Sequence, residues 1–319
     1  MSTSSRIEPK LSVVICTYNR SDLLKLCLES LTRQTAPADL FEVLVVDNNS
    51  PDDTAEVVRS FQGKTGVEFR YCLEKQVGLS FARNTGYREA RAPWIAYLDD
   101  DAKARPGFVE RAVWMTENTD YPFFGGLDIP WYPFGKPAWY QDRYASSRYR
   151  HKTIATLTGD EHAFGCVMVM RKDILERFNG FNTAIGMRGN VVGYNEETEL
   201  QNRLRAEGLL IGYDPDLVID HAVAPHKLRI DWFFQSAFAH GRDKIRSGMT
   251  GSGGFHLFLI AVTGLALTFV DLVKNSFKLA FSKNYHIENW LIDTFRKAAK
   301  RVGMVYTGLV EREGERERG

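Results

Sequence analysis

The chain reads as an α/β protein with a mostly parallel sheet flanked by helices, followed by a helical C-terminal extension. Three observations predict this. Apolar, β-branched runs alternate with segments of helical period through the first hundred residues. Each of those runs ends in polar residues, as strands of an open parallel sheet do at their ligand-binding rim. Beyond about residue 230 the pattern gives way to one long apolar stretch and one basic amphipathic stretch. With 319 residues, 44% hydrophobic and 25% charged, the chain can bury a sizeable core.

The elements follow in order. Leu11–Cys16 (LSVVIC) is a continuous apolar run, as a strand buried on both faces requires. Ser21 is placed to cap a helix carrying Leu23, Leu24, Cys27, Leu28 and Leu31. Phe41–Val46 is a second strand ending at Asp47 and a turn of Asn48, Asn49, Ser50 and Pro51; a helix follows over 53–62. A third strand covers Glu68–Leu73, a third helix Ser80–Ala90, and a fourth strand Trp94–Leu98 ends at Asp99. The aromatic, Gly- and Pro-rich stretch 121–152 reads as a long irregular segment, a length that usually carries function. A strand over 164–170, a helix over 173–178, and a helix over 195–208 come next. The last of these has Asn195 at its N-cap, acids in its first turn and Gly208 at its end. Residues 211–219 close the domain as a strand.

Composition excludes several classes. Lys+Arg 41 against Asp+Glu 40 leaves a net charge of +1, without the basic excess of a nucleic-acid binder. Cys16, Cys27, Cys72 and Cys166 are scattered and form no CxxC pair, so free thiols and no zinc site are expected. Residues 1–10 are polar, without the apolar core of a secretory signal; a disordered N-terminus and a cytoplasmic catalytic part are the expectation.

The turn after the first strand, TYNRS, has no glycine, and no GxxxxGKS loop exists. A dinucleotide or P-loop cradle needs those glycines so that backbone can approach phosphate. A divalent cation is the natural substitute, and Asp99-Asp100-Asp101 can hold one. Alternate residues of an extended segment project the same way, so Asp99 and Asp101 can share a ligand while Asp100 points elsewhere. Asp47 is either a turn cap or an acceptor for a base or ribose. Tyr18 could stack on a base.

The segments VVICTYNR, VLVVDNNSPDDT, GLSFARNTG and IAYLDDDA resemble the ordered motifs of the inverting family 2 glycosyltransferases with the GT-A fold, and the likeness runs over residues 10–225. It implies a nucleotide-sugar donor, with a UDP-sugar expected, and Mn²⁺ or Mg²⁺ as cofactor. Thr17, Tyr18 and Arg20 would border the nucleotide; Asp47 would bind uracil or ribose. Gly78, Arg83 and Asn84 would lie along the donor. Asp99 and Asp101 would form the DxD motif holding ribose and metal, and Asp100 would join the nucleotide-sugar-binding residues. In Glu196-Glu197-Thr198-Glu199-Leu200, Glu197 stands where the family has an aspartate base, and Glu196 is the alternative. First-turn acids also favour a helix dipole by themselves. His221 resembles an additional metal ligand, with His226 as fallback, and Arg229 would pair with the diphosphate.

Two departures matter. Many relatives carry Gly-Ala-Asn where this chain has Gly165-Cys166-Val167, which makes the acceptor region unusual. The Gln-x-x-Arg-Trp motif of processive synthases is missing, which implies transfer of a single sugar to a saccharide or lipid-linked acceptor. The runner-up is a nucleotide-sugar sensor or scaffold without turnover, motivated by the Asp-to-Glu change at the base position. A nucleotidyltransferase ranks third, for want of a Gly-rich phosphate loop.

Boundaries are drawn at a catalytic domain 11–230, a helical region 231–310 and a disordered charged tail 311–319. Residues 255–273 are nearly all apolar, with Asp271 near one end; they can span a bilayer, lie in its interface or form a core helix. The basic amphipathic segment 289–310 favours an anionic membrane surface, on the cytoplasmic face.

Overall fold

The computed structural model describes residues 8–146 and 151–316; most of the N-terminal segment and the last three residues of the tail lie outside them. The chain divides into two compact units. The first comprises the chain up to Trp131, Ala145–Thr183 and Glu196–Ala222. Its opening elements are β1 (Leu11–Thr17), α1 (Ser21–Leu31), β2 (Phe41–Asp47), α2 (Thr54–Phe61), β3 (Glu68–Leu73), α3 (Leu79–Glu89) and β4 (Trp94–Leu98). Then follow β5 (Ala102–Ala104), α4 (Phe108–Asn118), β6 (Phe123–Trp131), β7 (Ala155–Thr156), β8 (Val167–Arg171), α5 (Lys172–Arg177), α6 (Glu196–Ala206) and β9 (Ile211–Ala222).

The strands form one mixed sheet in the order β3-β2-β1-β4-β8-β6-β9-β5, with β7 against β9. The first four strands are parallel, as strand–helix alternation demands. β8 joins β4 antiparallel and carries the sheet onward. Alternation along β1 divides the core in two. Leu11, Val13 and Ile15 pack with Leu24 and Leu28 of α1 and Phe108 and Ala112 of α4. Val14, on the opposite face, packs with Ala82 of α3, Leu175 of α5 and Leu200 of α6. Both faces are therefore covered by helices, which is why these strands read as unbroken apolar runs.

The structure corrects three details. Residues 123–131, read as irregular, form β6. Its Gly125-Gly126 pair and Pro130 hide the strand pattern, and the register shifts between Gly125 and Leu127. A Cβ on Gly126 would meet the Leu217 carbonyl oxygen at 2.1 Å, so β9 can approach there only because the residue is glycine. The elements β5 and α4, between the aspartate run and β6, are additional to the predicted order. Ser21 does not cap α1: its own backbone N–H donates to Asp52 Oδ2 at 2.9 Å, so the carboxylate is supplied by the turn after β2.

The second unit comprises Tyr132–Tyr144, Ala184–Asn195 and the chain from Val223. Its helices are α7 (Ile230–Arg246), α8 (Gly254–Phe281) and α9 (Ile287–Arg316). α9 continues into the charged segment to Arg316. Trp139, Tyr140 and Tyr144 cluster around Phe233 with ring centroids 5.2–6.2 Å away. Arg143 pairs with Asp293 at 2.6 Å. Asp271, the charge that makes an apolar helix costly, is met by Lys297 of α9 at 3.1 Å. Most of α8 is exposed, including Phe255, Phe258, Leu265 and Phe269. It is not a buried core helix among the described residues.

Candidate active site

β4 ends at Leu98, and the three aspartates that follow lead directly into β5. β5 pairs antiparallel with the end of β9, with Ala102 opposite His221. The Ala222 backbone N–H donates to the Asp101 carbonyl at 2.8 Å. This hairpin-like pairing brings two segments 120 positions apart into register. His221 Nε2 lies 3.0 Å from Asp101 Oδ1 and 4.0 Å from Asp99 Oδ2. Asp99, Asp101 and His221 offer one ligand atom each, all within 4.8 Å of one another. Two carboxylates and an imidazole suit a hard or borderline divalent cation such as Mg²⁺ or Mn²⁺. Asp101 is buried while Asp99 is partly exposed, so the donor set opens on one side.

Asp100 points away from that set, as alternation predicts. Its Oδ2 accepts from Thr17 Oγ1 at 2.8 Å and its Oδ1 from Arg20 Nη1 at 3.2 Å. Burial pushes its carboxyl up to about 6; Arg20 opposes the shift, while Asp101 adds to it. Arg20 also reaches Asp101 at 3.5 Å, and Asp100 beside it strengthens the hold of the guanidinium on its proton. Thr17 and Arg20 thus tie the end of β1 to the aspartate run.

Thr17 stands opposite Asp47 in the β1–β2 register. Asp47 is buried; Oδ1 accepts from the Ser50 N–H and Oδ2 from the Tyr71 hydroxyl, both at 2.8 Å. Burial and the Asp47 carboxylate push Tyr71 up to about 12, so it remains a donor. Asn48, beside it, donates to the Glu74 and Gln76 carbonyls at 3.2 and 2.8 Å, and its Oδ1 accepts from the Gly78 N–H at 2.6 Å. Gly78 has φ 149, a conformation that favours glycine, and opens α3. Asn48 and Tyr71 are framework residues that carry no local signal of that role. Asn48 looked like an ordinary turn residue, and Tyr71 an ordinary strand aromatic.

Arg83, on α3, is buried. Its Nη1 donates to Glu196 Oε1 at 2.7 Å, its Nη2 to the Gly165 carbonyl at 3.2 Å, and Nη2 lies 3.8 Å from Asp99 Oδ1. Burial would lower the Arg83 pKa, but the charges of Glu196 and Asp99 more than offset it. Burial and the neighbouring Glu197 push the Glu196 carboxyl up, and the Arg83 guanidinium at 2.7 Å opposes the shift and holds it as an ion pair. Burial likewise raises Glu197, with Arg83 acting against it. The two glutamates differ in their hold: Glu196 is fixed by Arg83, whereas the Glu197 carboxylate rests on backbone N–H groups at the helix start.

Asn84 has a different environment from its neighbour Arg83. Its Nδ2 donates to the Phe181 carbonyl and its Oδ1 accepts from the Phe181 N–H, both at 2.8 Å, so its amide braces the segment after α5. Tyr18 is half-buried. Arg229 belongs to the second unit, is exposed, and pairs with Asp231 at 3.0 Å. His226 packs edge-on against Trp232 in that unit, 4.6 Å between centroids, whereas His221 is the histidine beside Asp101. None of the four cysteines forms a disulfide among the described residues. Burial pushes Cys16 up to about 12 and Cys27 well above its ordinary value, so both stay thiols.

The profile of glycosyl transferase family 2 matches residues 12–178, more than half of the chain. Glycosyltransferase AglE of Haloferax volcanii is 36% identical over 138 residues, covering 43% of this chain and 45% of the relative. Validoxylamine A glucosyltransferase of Streptomyces hygroscopicus subsp. jinggangensis is 43% identical over 107 residues, covering 33% of this chain and 25% of the relative. The chain thus spans less than half the length of these two curated relatives. The glucosyl-dolichyl phosphate glucuronosyltransferase of Haloferax volcanii is 24% identical over 245 residues, covering 74% of this chain and 76% of the relative. Among solved structures, the mannosyltransferase PcManGT from Pyrobaculum calidifontis, in complex with GDP-Man and Mn²⁺, superposes with a TM-score of 0.63 at 19% identity, over 94% of this chain and 88% of that one. TarS 1-349 of S. aureus, in complex with UDP, gives 0.54 at 16% identity, over 96% and 92%. The fold is the GT-A fold, and the chain belongs to glycosyl transferase family 2.

Proposed function

We propose that this protein transfers a single sugar, with inversion, from a nucleotide diphosphate-sugar to a hydroxyl of a saccharide or lipid-linked acceptor. One observation carries the reading: the Asp99–Asp101–His221 donor set and the Glu196–Glu197 pair are tied together through one buried arginine, Arg83. Asp99, Asp101 and His221 would hold Mn²⁺ or Mg²⁺, which would neutralise charge growing on the departing diphosphate. Thr17, Arg20 and Asp47 would border the nucleoside. The acceptor oxygen bonds to the anomeric carbon as the bond to the diphosphate oxygen breaks, and the acceptor proton passes to Glu197. Glu197 suits the base role better than Glu196 because Arg83 already occupies Glu196; burial raises both carboxyls, which favours proton abstraction near neutral pH at whichever is unpaired. Arg83 would position the helix start against the DxD segment without touching the transferred proton.

Support for a lipid-linked acceptor and a membrane surface comes from α8. It has 28 residues, so it is about 42 Å long, and little of its apolar length is buried. The dolichyl phosphate in the name of one relative points the same way. A location at the cytoplasmic face of that membrane is part of the same proposal. The test is nucleotide release from UDP- and GDP-sugars with Mn²⁺ or Mg²⁺. Release abolished by Asp101→Ala supports transfer; tight donor binding without turnover on any acceptor supports the sensor. A product that keeps the donor's anomeric configuration overturns the inverting mechanism.

A further inference from the structure

His221 belongs to two donor sets. Besides Asp99 and Asp101, it stands with Asp128 and Cys166, again with one ligand atom from each residue and all within 4.8 Å of one another. The sheet explains the meeting. β6 lies between β8 and β9, antiparallel to the first and parallel to the second. The entry to β8, the far half of β6 and the end of β9 therefore reach the same level. Cys166 immediately precedes β8, Asp128 lies in β6 opposite Ile219, and His221 lies opposite Pro130, two positions along β6 from Asp128. Asp128 and Cys166 are both buried. No sequence spacing announces a set drawn from positions 128, 166 and 221, and the cysteine is one of the two residues, with Val167, that depart from the Gly-Ala-Asn pattern.

The chemistry of this set differs from its neighbour's. Two carboxylates with an imidazole prefer a hard cation, but a thiolate with a carboxylate and an imidazole is a zinc donor set. Tetrahedral bonds of about 2.0–2.3 Å place ligand atoms roughly 3.3–3.8 Å apart, and the trio already lies within 4.8 Å, so closing on a cation takes at most small side-chain shifts. We infer that Asp128, Cys166 and His221 form a second, zinc-selective cation site that shares its histidine with the Asp99–Asp101 set. Binding forms a Zn–S bond and releases the thiol proton, with no change of oxidation state. Zinc drawn onto His221 competes for the imidazole that the Mg²⁺ or Mn²⁺ set uses. Zn²⁺ is therefore an antagonist of the hard cation rather than its substitute.

The experiment uses the whole chain and needs no turnover, so it stands or falls apart from the proposed transfer. Co²⁺, as a zinc surrogate, is titrated into the wild-type protein and the near-ultraviolet thiolate-to-cobalt absorption is followed. The band is expected in wild type and in Cys72→Ser, and absent in Cys166→Ala. Asp128→Asn is expected to weaken Co²⁺ binding by at least the roughly 10–100-fold that losing an outer-shell partner costs. X-ray absorption of zinc-loaded wild-type protein gives the same answer without a variant, with one sulfur expected in the first shell. Absence of the band in wild type, its persistence in well-folded Cys166→Ala, or a zinc shell of nitrogen and oxygen alone would overturn the inference.

Discussion

Arg83 on α3 and Glu196 at the start of α6, 113 residues apart, form a buried ion pair at 2.7 Å. Arg83 also lies 3.8 Å from Asp99, so one guanidinium links the donor-set aspartate to the acidic helix. A buried charge left without its partner is costly. Glu196→Ala is expected to destabilise the fold by about 3–5 kcal/mol, read as a lowered denaturant midpoint with an unchanged m-value.

Glu197→Gln separates the two glutamates. No side chain among the described residues hydrogen-bonds to the Glu197 carboxylate, so its removal should leave stability nearly intact. Turnover should fall by about 10²–10⁴-fold, the usual contribution of a general base. Steady-state kinetics beside thermal melts checks this; a variant that melts early while keeping its specific activity would move the base role elsewhere.

The pH profile follows from the same burial. A base acts only when ionised, and burial raises the Glu197 pKa above the ordinary carboxylate value. The acid limb of kcat should therefore fall at a higher pH than for an exposed glutamate. Initial rates across pH, with metal saturating, measure it.

Asp100 gives a stability test of opposite sign to ordinary acid denaturation. Its folded pKa of about 6 exceeds the ordinary 3.8, so the folded state binds that proton more tightly than the unfolded chain. Its contribution is full below 3.8 and is lost as pH rises through about 6. In metal-free protein, the melting temperature of Asp100→Asn relative to wild type should rise across that window; a constant difference would contradict the assignment.

The exposed face of α8 predicts membrane behaviour. Leu265 and Phe269 are 75% and 66% exposed, and burying a charge in hydrocarbon is expensive. Leu265→Lys with Phe269→Lys should shift the protein from vesicles containing anionic lipid to the supernatant, measured by flotation. Truncation after Gly253 is less clean, since it also strips α9 from α7.

The parallel half of the fold was legible because its strands are buried on both faces and show as unbroken apolar runs. Trp94–Leu98 came out at its actual bounds for that reason. β6 was not, because glycines needed for close approach to β9 erase the strand pattern. Within the site, alternation in Asp99-Asp100-Asp101 was readable from local geometry alone. The Asp101–His221 contact depends on the β5–β9 register, and the bracing of Asn84 by Phe181 depends on tertiary packing. Neither has a local signal, so residue type could nominate those side chains but not say what they touch.

Calorimetric titration of UDP and GDP, with and without Mn²⁺, into wild type and Asp101→Ala tests the central claim most directly. If Asp99, Asp101 and His221 hold the cation that grips the diphosphate, Mn²⁺ tightens nucleotide binding in wild type and that gain disappears in the variant. Equal affinity with and without Mn²⁺, or a gain that survives Asp101→Ala, would contradict it.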